Sequence, residues 1–231
     1  MTDGRDRWGR AGASAGLLAV AVYVIGALVM PREPGFDASA AEVAAFFDDG
    51  RTRIQIGAAI QALWAPLFIW FLTTATVAAR AAGERAGRAA MTALGCGVVF
   101  ITLFLADVTC LAVGALRPEN LAATPEVAIA LRDFSWLAMG MAAPAACGVA
   151  VALSVVTLRD RALWPPWIGW LGLAVAAAYS LRLGTLFTTS GTFAADGLLG
   201  LWVPVGALAA WLALASVTLA RRLPAPATDD P

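Results

Sequence analysis

Six stretches of roughly twenty or more mostly apolar residues recur along this chain, and each is long enough to cross a bilayer as a helix. They run from about Ala11 to Met30, Ile54 to Ala79, Met91 to Leu116, Ala128 to Leu158, Trp167 to Phe187 and Leu198 to Ala220. A membrane strand needs only about 9–11 residues, so these runs read as helices. Composition agrees. The chain is 60% hydrophobic and 14% charged, with a mean hydropathy of +0.76. A soluble domain is about half apolar and about a quarter charged. The expected fold is all-α, a polytopic transmembrane helix bundle of six spans over residues 11–222. Residues 1–10 form a basic arm, and residues 223–231, rich in Pro and Asp, are expected to be disordered. The fourth run exceeds ~30 Å of hydrocarbon and is predicted to tilt, kink or protrude.

Arginine sets the expected orientation, since cytoplasmic segments collect positive charge. With the N-terminus inside, the inner segments hold Arg5, Arg7, Arg10, Arg80, Arg85, Arg88, Arg159, Arg161, Arg221 and Arg222. The outer segments hold only Arg32, Arg51, Arg53, Arg117 and Arg132. Both termini are therefore expected in the cytoplasm, with the protein in the cell (inner) membrane of a bacterium. A cleavable signal peptide is the rival reading of the first span. Its best site, Ala38-Ser39-Ala40, lies too far beyond the apolar stretch.

The absences are informative. All sixteen bases are arginine; lysine and histidine do not occur. That excludes a retinal Schiff base, histidine-ligated haem, an HExxH zinc helix, a Ser-His-Asp triad and a P-loop. No cofactor or metal is expected. Cys96, Cys110 and Cys147 all fall inside spans and read as small packing residues.

Ser39-Ala40-Ala41-Glu42 fits a capping box, and Val43, Phe46 and Phe47 follow at helical spacing. A short amphipathic helix is predicted in the first outer loop, lying on the surface as an anchor or roofing a pocket. Pro66, Pro144 and Pro204 sit within the second, fourth and sixth runs and are predicted to kink them. Trp64 and Trp202 each precede such a proline by two, a weak hint of repetition. Gly12, Gly16, Gly95, Gly97, Gly140 and Gly148 are expected at close helix contacts. Trp8, Trp164, Trp167 and Trp170 are expected in an inner aromatic belt.

The stretch Leu163-Trp164-Pro165-Pro166-Trp167-Ile168-Gly169-Trp170-Leu171-Gly172 carries a P-x-W-x-G-W-x-G junction. It resembles the corresponding junction of uncharacterised six-span integral membrane proteins of high-GC bacteria. The first loop, SAAEVAAFFDDGRTRIQIGA, is similar to the same group at the same place. The resemblance implies the six-span topology and transfers no activity.

Ionisable side chains within spans cost at least ~2.5 kcal/mol each at a helix centre and are the leading functional candidates. Asp107 lies about nine residues from the outer end of the third span, ~14 Å deep. Arg182 lies about five residues from the outer end of the fifth, ~8 Å deep. The Arg182 arm leans toward the depth of Asp107, so an ion pair between them is expected. Arg132 and Asp133 start the fourth span and point about 100° apart, so they are not expected to serve one site equally. Trp136 shares a face with each. Gln55 and Gln61 on the second span, with Tyr179 and Ser180 on the fifth, add hydrogen-bonding capacity. All these charges fall in the outer half of the membrane.

Two explanations fit that asymmetry: an outward-facing polar pocket, or an ion-pair network locking three helices. The candidate ligand residues are Asp107, Arg182, Asp133, Arg132, Trp136 and Gln61. The leading expectation is a membrane protein that binds or moves a small amphipathic or lipid-like molecule. The alternatives are a structural or accessory subunit without a ligand, and a lipid- or isoprenoid-modifying enzyme using Asp107 and Asp133 as acid and base. Expected partners are membrane lipids and a small amphipathic ligand. The glycine faces also allow a homo-oligomer. No basic, aromatic-interleaved patch suggests nucleic acid.

Overall fold

The computed structural model describes residues 3–223, and every regular element among them is helical. The helices are α1 (Asp3–Val29), α2 (Ala40–Asp49), α3 (Arg51–Ala62), α4 (Trp64–Ala82) and α5 (Glu84–Leu116). They continue with α6 (Pro118–Ala123), α7 (Pro125–Met141), α8 (Ala143–Arg159), α9 (Pro166–Ser180) and α10 (Val203–Arg222). Six helical rods are long and apolar enough to cross a membrane: Trp8–Val29, Arg51–Ala82, Glu84–Leu116, Pro125–Arg159, Pro166–Leu186 and Leu198–Arg222. The protein is a multi-pass helical membrane bundle. Residues 3–10 belong to α1 rather than forming a separate arm; the tail residues 224–231 lie outside the described residues.

The rods alternate in direction. Residues 30–50, 117–124 and 187–197 gather at one end, the loop face. The opposite end, the terminal face, carries the start of α1 and the end of α10. Each span packs against its neighbours in sequence, and the sixth packs back on the first. The result is a closed ring of six spans around a core of alanine, leucine and aromatic side chains.

All three prolines break their helices where the missing N–H requires it. Pro66 cannot reach the Ala62 carbonyl, and the second span is interrupted at Leu63. Pro144 cannot reach Gly140, and the fourth is interrupted at Ala142, which divides the over-long run. Pro204 cannot reach Gly200, and a π-helical turn at Leu198–Trp202 precedes it. The fifth span also tightens, into a 3-10 turn at Leu181–Leu186.

The ring closes through small residues. A side chain at Gly16 would meet the Phe71 ring at 2.8 Å, and one at Gly12 would overlap Thr74, so this GxxxG face seats α1 on α4 within the chain. Gly97, Gly140 and Gly148 abut Leu72, Thr185 and Cys96. Gly95 departs from expectation, because nothing lies near its Cβ position. Where the last span meets the first, the Ser216 hydroxyl accepts from the Leu17 N–H at 2.9 Å and donates to the Ala13 carbonyl. One side chain thus bridges the donor and acceptor of a single turn of α1.

The capping box forms: Ser39 Oγ accepts from the Glu42 N–H at 3.3 Å, and the Ser39 N–H donates to Glu42 Oε2 at 2.7 Å. The Ser39 hydroxyl, which also donates to Glu42 Oε2 at 2.8 Å, and the Ser39 N–H hold the exposed Glu42 carboxyl below its usual range. The helix does not lie free at the interface. Val43 and Phe47 are fully buried, and Phe47 fills the space left by Gly114 on α5. Two loop-face arginines cap helix ends: Arg53 donates to the Val29 carbonyl at 3.0 Å and Arg51 to the Leu116 carbonyl at 3.1 Å. Trp164 is a core residue rather than a belt residue. Its Nε1 donates to the Ala215 carbonyl at 2.8 Å, whereas Trp8, Trp167 and Trp170 are exposed.

Replacing Ser216 with Ala removes both bonds of the closing clasp. Ser216→Ala is expected to cost about 1 kcal/mol and lower the thermal midpoint in detergent. An unchanged midpoint would show that the clasp does not hold the ring.

Candidate functional site

The third, fourth and fifth spans bring their charged residues together at the loop-face end of the ring. Asp107 sits on α5 one turn beyond Phe104, and Ser135 of α7 donates its hydroxyl to Asp107 Oδ1. Arg132, one turn before Trp136 on α7, is 1% exposed. Its Nε donates to Asp133 Oδ1 at 2.7 Å. Its Nη1 donates to the carbonyls of Pro34, at 3.3 Å, and Gly35. Phe36 lies against the same guanidinium, 5.4 Å from ring centroid to Cζ.

Two expectations about these arginines need correction. Arg132 and Asp133 do form one unit, because the flexible arginine arm folds back across the 100° that separates their Cβ directions. Asp107 and Arg182 do not meet as an ion pair among the described residues. Asp107 is held by Ser135, while the Arg182 guanidinium rests 5.9 Å from the centre of the Tyr179 ring. The 3-10 turn that begins at Leu181 sets the direction of the Arg182 side chain, which straight-helix geometry had aimed at Asp107. The two groups still lie within electrostatic range of one another.

The cover over this cluster is the segment running from Glu33 to Phe36, not the Phe46/Phe47 helix. Glu33 had no separate standing in the sequence, where it was one of five acidic residues in the first loop. Its Oε2 is buried without a hydrogen-bond partner. Burial, reinforced by the nearby Asp107 carboxylate and opposed by Arg132, pushes the Glu33 carboxyl up to about 8. Arg182 is 1% exposed, and its Nε and Nη1 likewise have no partner. Trp136 Nε1 is also buried and unpartnered. Four of the six such atoms among the described side chains therefore belong to this cluster. Native proteins leave few of these groups, since each costs about 1–3 kcal/mol and more when charged. Gln61 is buried elsewhere, with its side chain against Gly26 between α1 and α3.

Deeper in the ring, one turn from Asp107 and from Arg182, lies a recess to which all six spans contribute. Its floor and walls are Tyr23, Trp64, Phe100, Phe104 and Tyr179, with Val20, Met139 and four residues of α10. Its cavity volume is about 30 Å³. Trp64, Met139 and Val205 each stand beside or within a turn of a helix break, so the three interruptions converge on this space. Trp64 lines it, but Trp202 is exposed on the outside, so the paired Trp-x-Pro sequences do not make equivalent sites. Tyr23 and Tyr179 connect the levels, lining the recess while their rings lie within electrostatic range of Arg182 and Asp107.

The recess borders the seam between the first and last spans. Toward the terminal face that seam is shut by Ala13, Leu17 and Ser216. Toward the loop face, Val20 and Tyr23 of α1 and Val205 and Ala209 of α10 flank the recess and are only half-buried. Among the described residues, no three Asp, Glu, Cys or His side chains gather as a metal site requires.

Fold and site together define a helical membrane protein with a polar centre above an aromatic recess. No family model, no curated protein and no solved structure matches the chain.

The raised Glu33 carboxyl has a definite consequence for stability. Between 4.5, its ordinary value, and about 8, the folded protein holds a proton that the unfolded chain has released. The contribution is complete below the lower value and is lost as pH rises through the upper one. Glu33→Gln, neutral throughout, is expected to flatten the pH dependence of the thermal midpoint over this window and to raise the midpoint at its alkaline end. A variant with the wild-type pH profile would show that Glu33 is solvated.

Proposed function

We propose that the protein binds, and in binding shelters or moves, a small amphipathic molecule taken up sideways from the bilayer. The observation that carries the reading is the aromatic recess beneath a buried cluster of unpartnered polar atoms, bordering the seam between α1 and α10. A polar head reaching the level of Arg182 supplies hydrogen-bond partners that the protein itself leaves missing. An apolar body lies against Trp64, Phe100 and Phe104 and extends past Val205 and Ala209 into lipid. A cavity of about 30 Å³ has room for about two water molecules, so a larger occupant must part the seam. The helix breaks at Leu63, Ala142 and the π-helical turn supply places where such a motion costs few backbone hydrogen bonds.

Ala209→Trp fills the seam, while Ala210→Trp adds the same bulk on the exposed face of α10. Native mass spectrometry of gently extracted protein is expected to show one retained amphiphile in wild type and in Ala210→Trp, and none in Ala209→Trp. Identical adducts in all three proteins, or none in wild type, would refute the reading.

For orientation, the ten-to-five division of arginines favours the terminal face in the cytoplasm of the cell membrane. Cysteines introduced one at a time as Asp48→Cys and Arg85→Cys test it. An impermeant maleimide added to intact cells is expected to label the first, and to label the second only after permeabilisation. The reverse pattern would invert the topology.

A further inference from the structure

The recess and the cluster above it limit the chemistry of an occupant more narrowly than amphipathic character does. The unpartnered nitrogens of Arg182 and Trp136 are all donors. The nearby Asp107 carboxylate, the strongest acceptor at this level, is already engaged by Ser135. Among the unpartnered atoms of the cluster, three donors thus stand against one acceptor, Glu33 Oε2.

Its charge is also balanced. Arg132 is paired with Asp133, and Arg182, though unpaired, has the Ser135-bound Asp107 carboxyl within electrostatic range. An anionic head would leave an uncompensated negative charge beside Asp107. A cationic head would face Arg182 across the Tyr179 ring. Either imbalance is expensive within a bilayer. Five aromatic side chains line the recess, and rings of this kind favour a flat partner that can stack or meet them edge to face.

We propose that the recess is the site of a lipid quinone: an uncharged flat ring whose carbonyl oxygens accept from Arg182, with its isoprenoid tail leaving through the seam between α1 and α10. This rests on the lateral-binding reading above. A quinone offers two acceptors and no donors, which complements the unpartnered N–H groups. The corresponding quinol presents two donors to a site already rich in them. The oxidised form is thus the preferred occupant. The proposal concerns binding and assigns no electron transfer.

The test uses the full chain in nanodiscs and decyl-para-benzoquinone as the probe, followed by quenching of tryptophan fluorescence and by thermal stability. Wild type is expected to show a saturable component above the linear background from partitioning, with a raised thermal midpoint. Binding is expected to weaken by about tenfold or more in Arg182→Gln, the loss of a charge-assisted hydrogen bond. The reduced quinol is expected to bind about tenfold more weakly, and decanoate and decyltriphenylphosphonium should not compete at equal concentration. A purely linear response in wild type would overturn the proposal, as would equal affinity for the quinol or displacement by either charged amphiphile. If Arg182→Gln does not fold, Ala209→Trp takes its place, and retention of saturable quenching in that variant overturns the proposal. Should decanoate or the phosphonium bind saturably and Ala209→Trp abolish it, the lateral-binding reading stands and the quinone falls. If no probe binds and Ala209→Trp retains the same lipids as wild type, both fall.

Discussion

The contact between α1 and α10 holds the ring together. Five of the six junctions join spans that follow one another in sequence. The sixth has no loop to enforce it and depends on backbone proximity at Ala13 and Leu17, on the Ser216 hydroxyl, and on the absence of a side chain at Gly16. In lipid, apolar burial gives little net drive for helix association, so close approach and interhelical hydrogen bonds carry the contact. Because these features crowd toward the terminal face, the same junction is shut at one end and loose at the other. The aromatic recess and the burial of the charged cluster both follow from that gradient.

A bilayer also explains why irregular backbone appears where it does. No water is present to satisfy a freed carbonyl, so each interruption must be local and partly repaired. At Leu63 and Ala142 the backbone stays in the right-handed helical region, and their own N–H groups bond carbonyls three or four residues back. The three interruptions line one chamber rather than scattering over the surface. Proline thus shapes the interior by removing single hydrogen bonds.

The six spans were legible in the sequence because a run of twenty apolar residues has few other solutions. The capping box at Ser39 and Glu42 and the three proline breaks were legible for a similar reason, since each depends on local chemistry at fixed spacing. Asp107, Arg132, Asp133, Trp136 and Arg182 could be nominated because charge or unpaired polarity within a membrane is conspicuous. Their pairing could not be read. It depends on a 3-10 turn at Leu181 and on the reach of a flexible arginine arm, neither of which follows from helical periodicity. Glu33 was hidden because loop residues have no periodicity, so nothing marks which of several neighbouring acids turns inward. The recess had a visible trace at four-residue spacing in Phe100–Phe104 and Leu208–Leu212. Knowing that those pairs face the same space as Tyr23 and Tyr179 requires the order of spans around the ring.

That order has a consequence for biogenesis. The first and the last of the six spans are partners, so the circle stays incomplete until the sixth has been made. Asp107 and Ser135 can meet once the fourth helix arrives, and Arg132 can then collect the carbonyls of Pro34 and Gly35. Arg182 is made later, and the wall beside it is missing until α10 follows. During that interval a costly cation stands at an open flank of the nascent bundle. Truncation before α10 would leave that flank permanently open, giving membrane quality control a defect to detect.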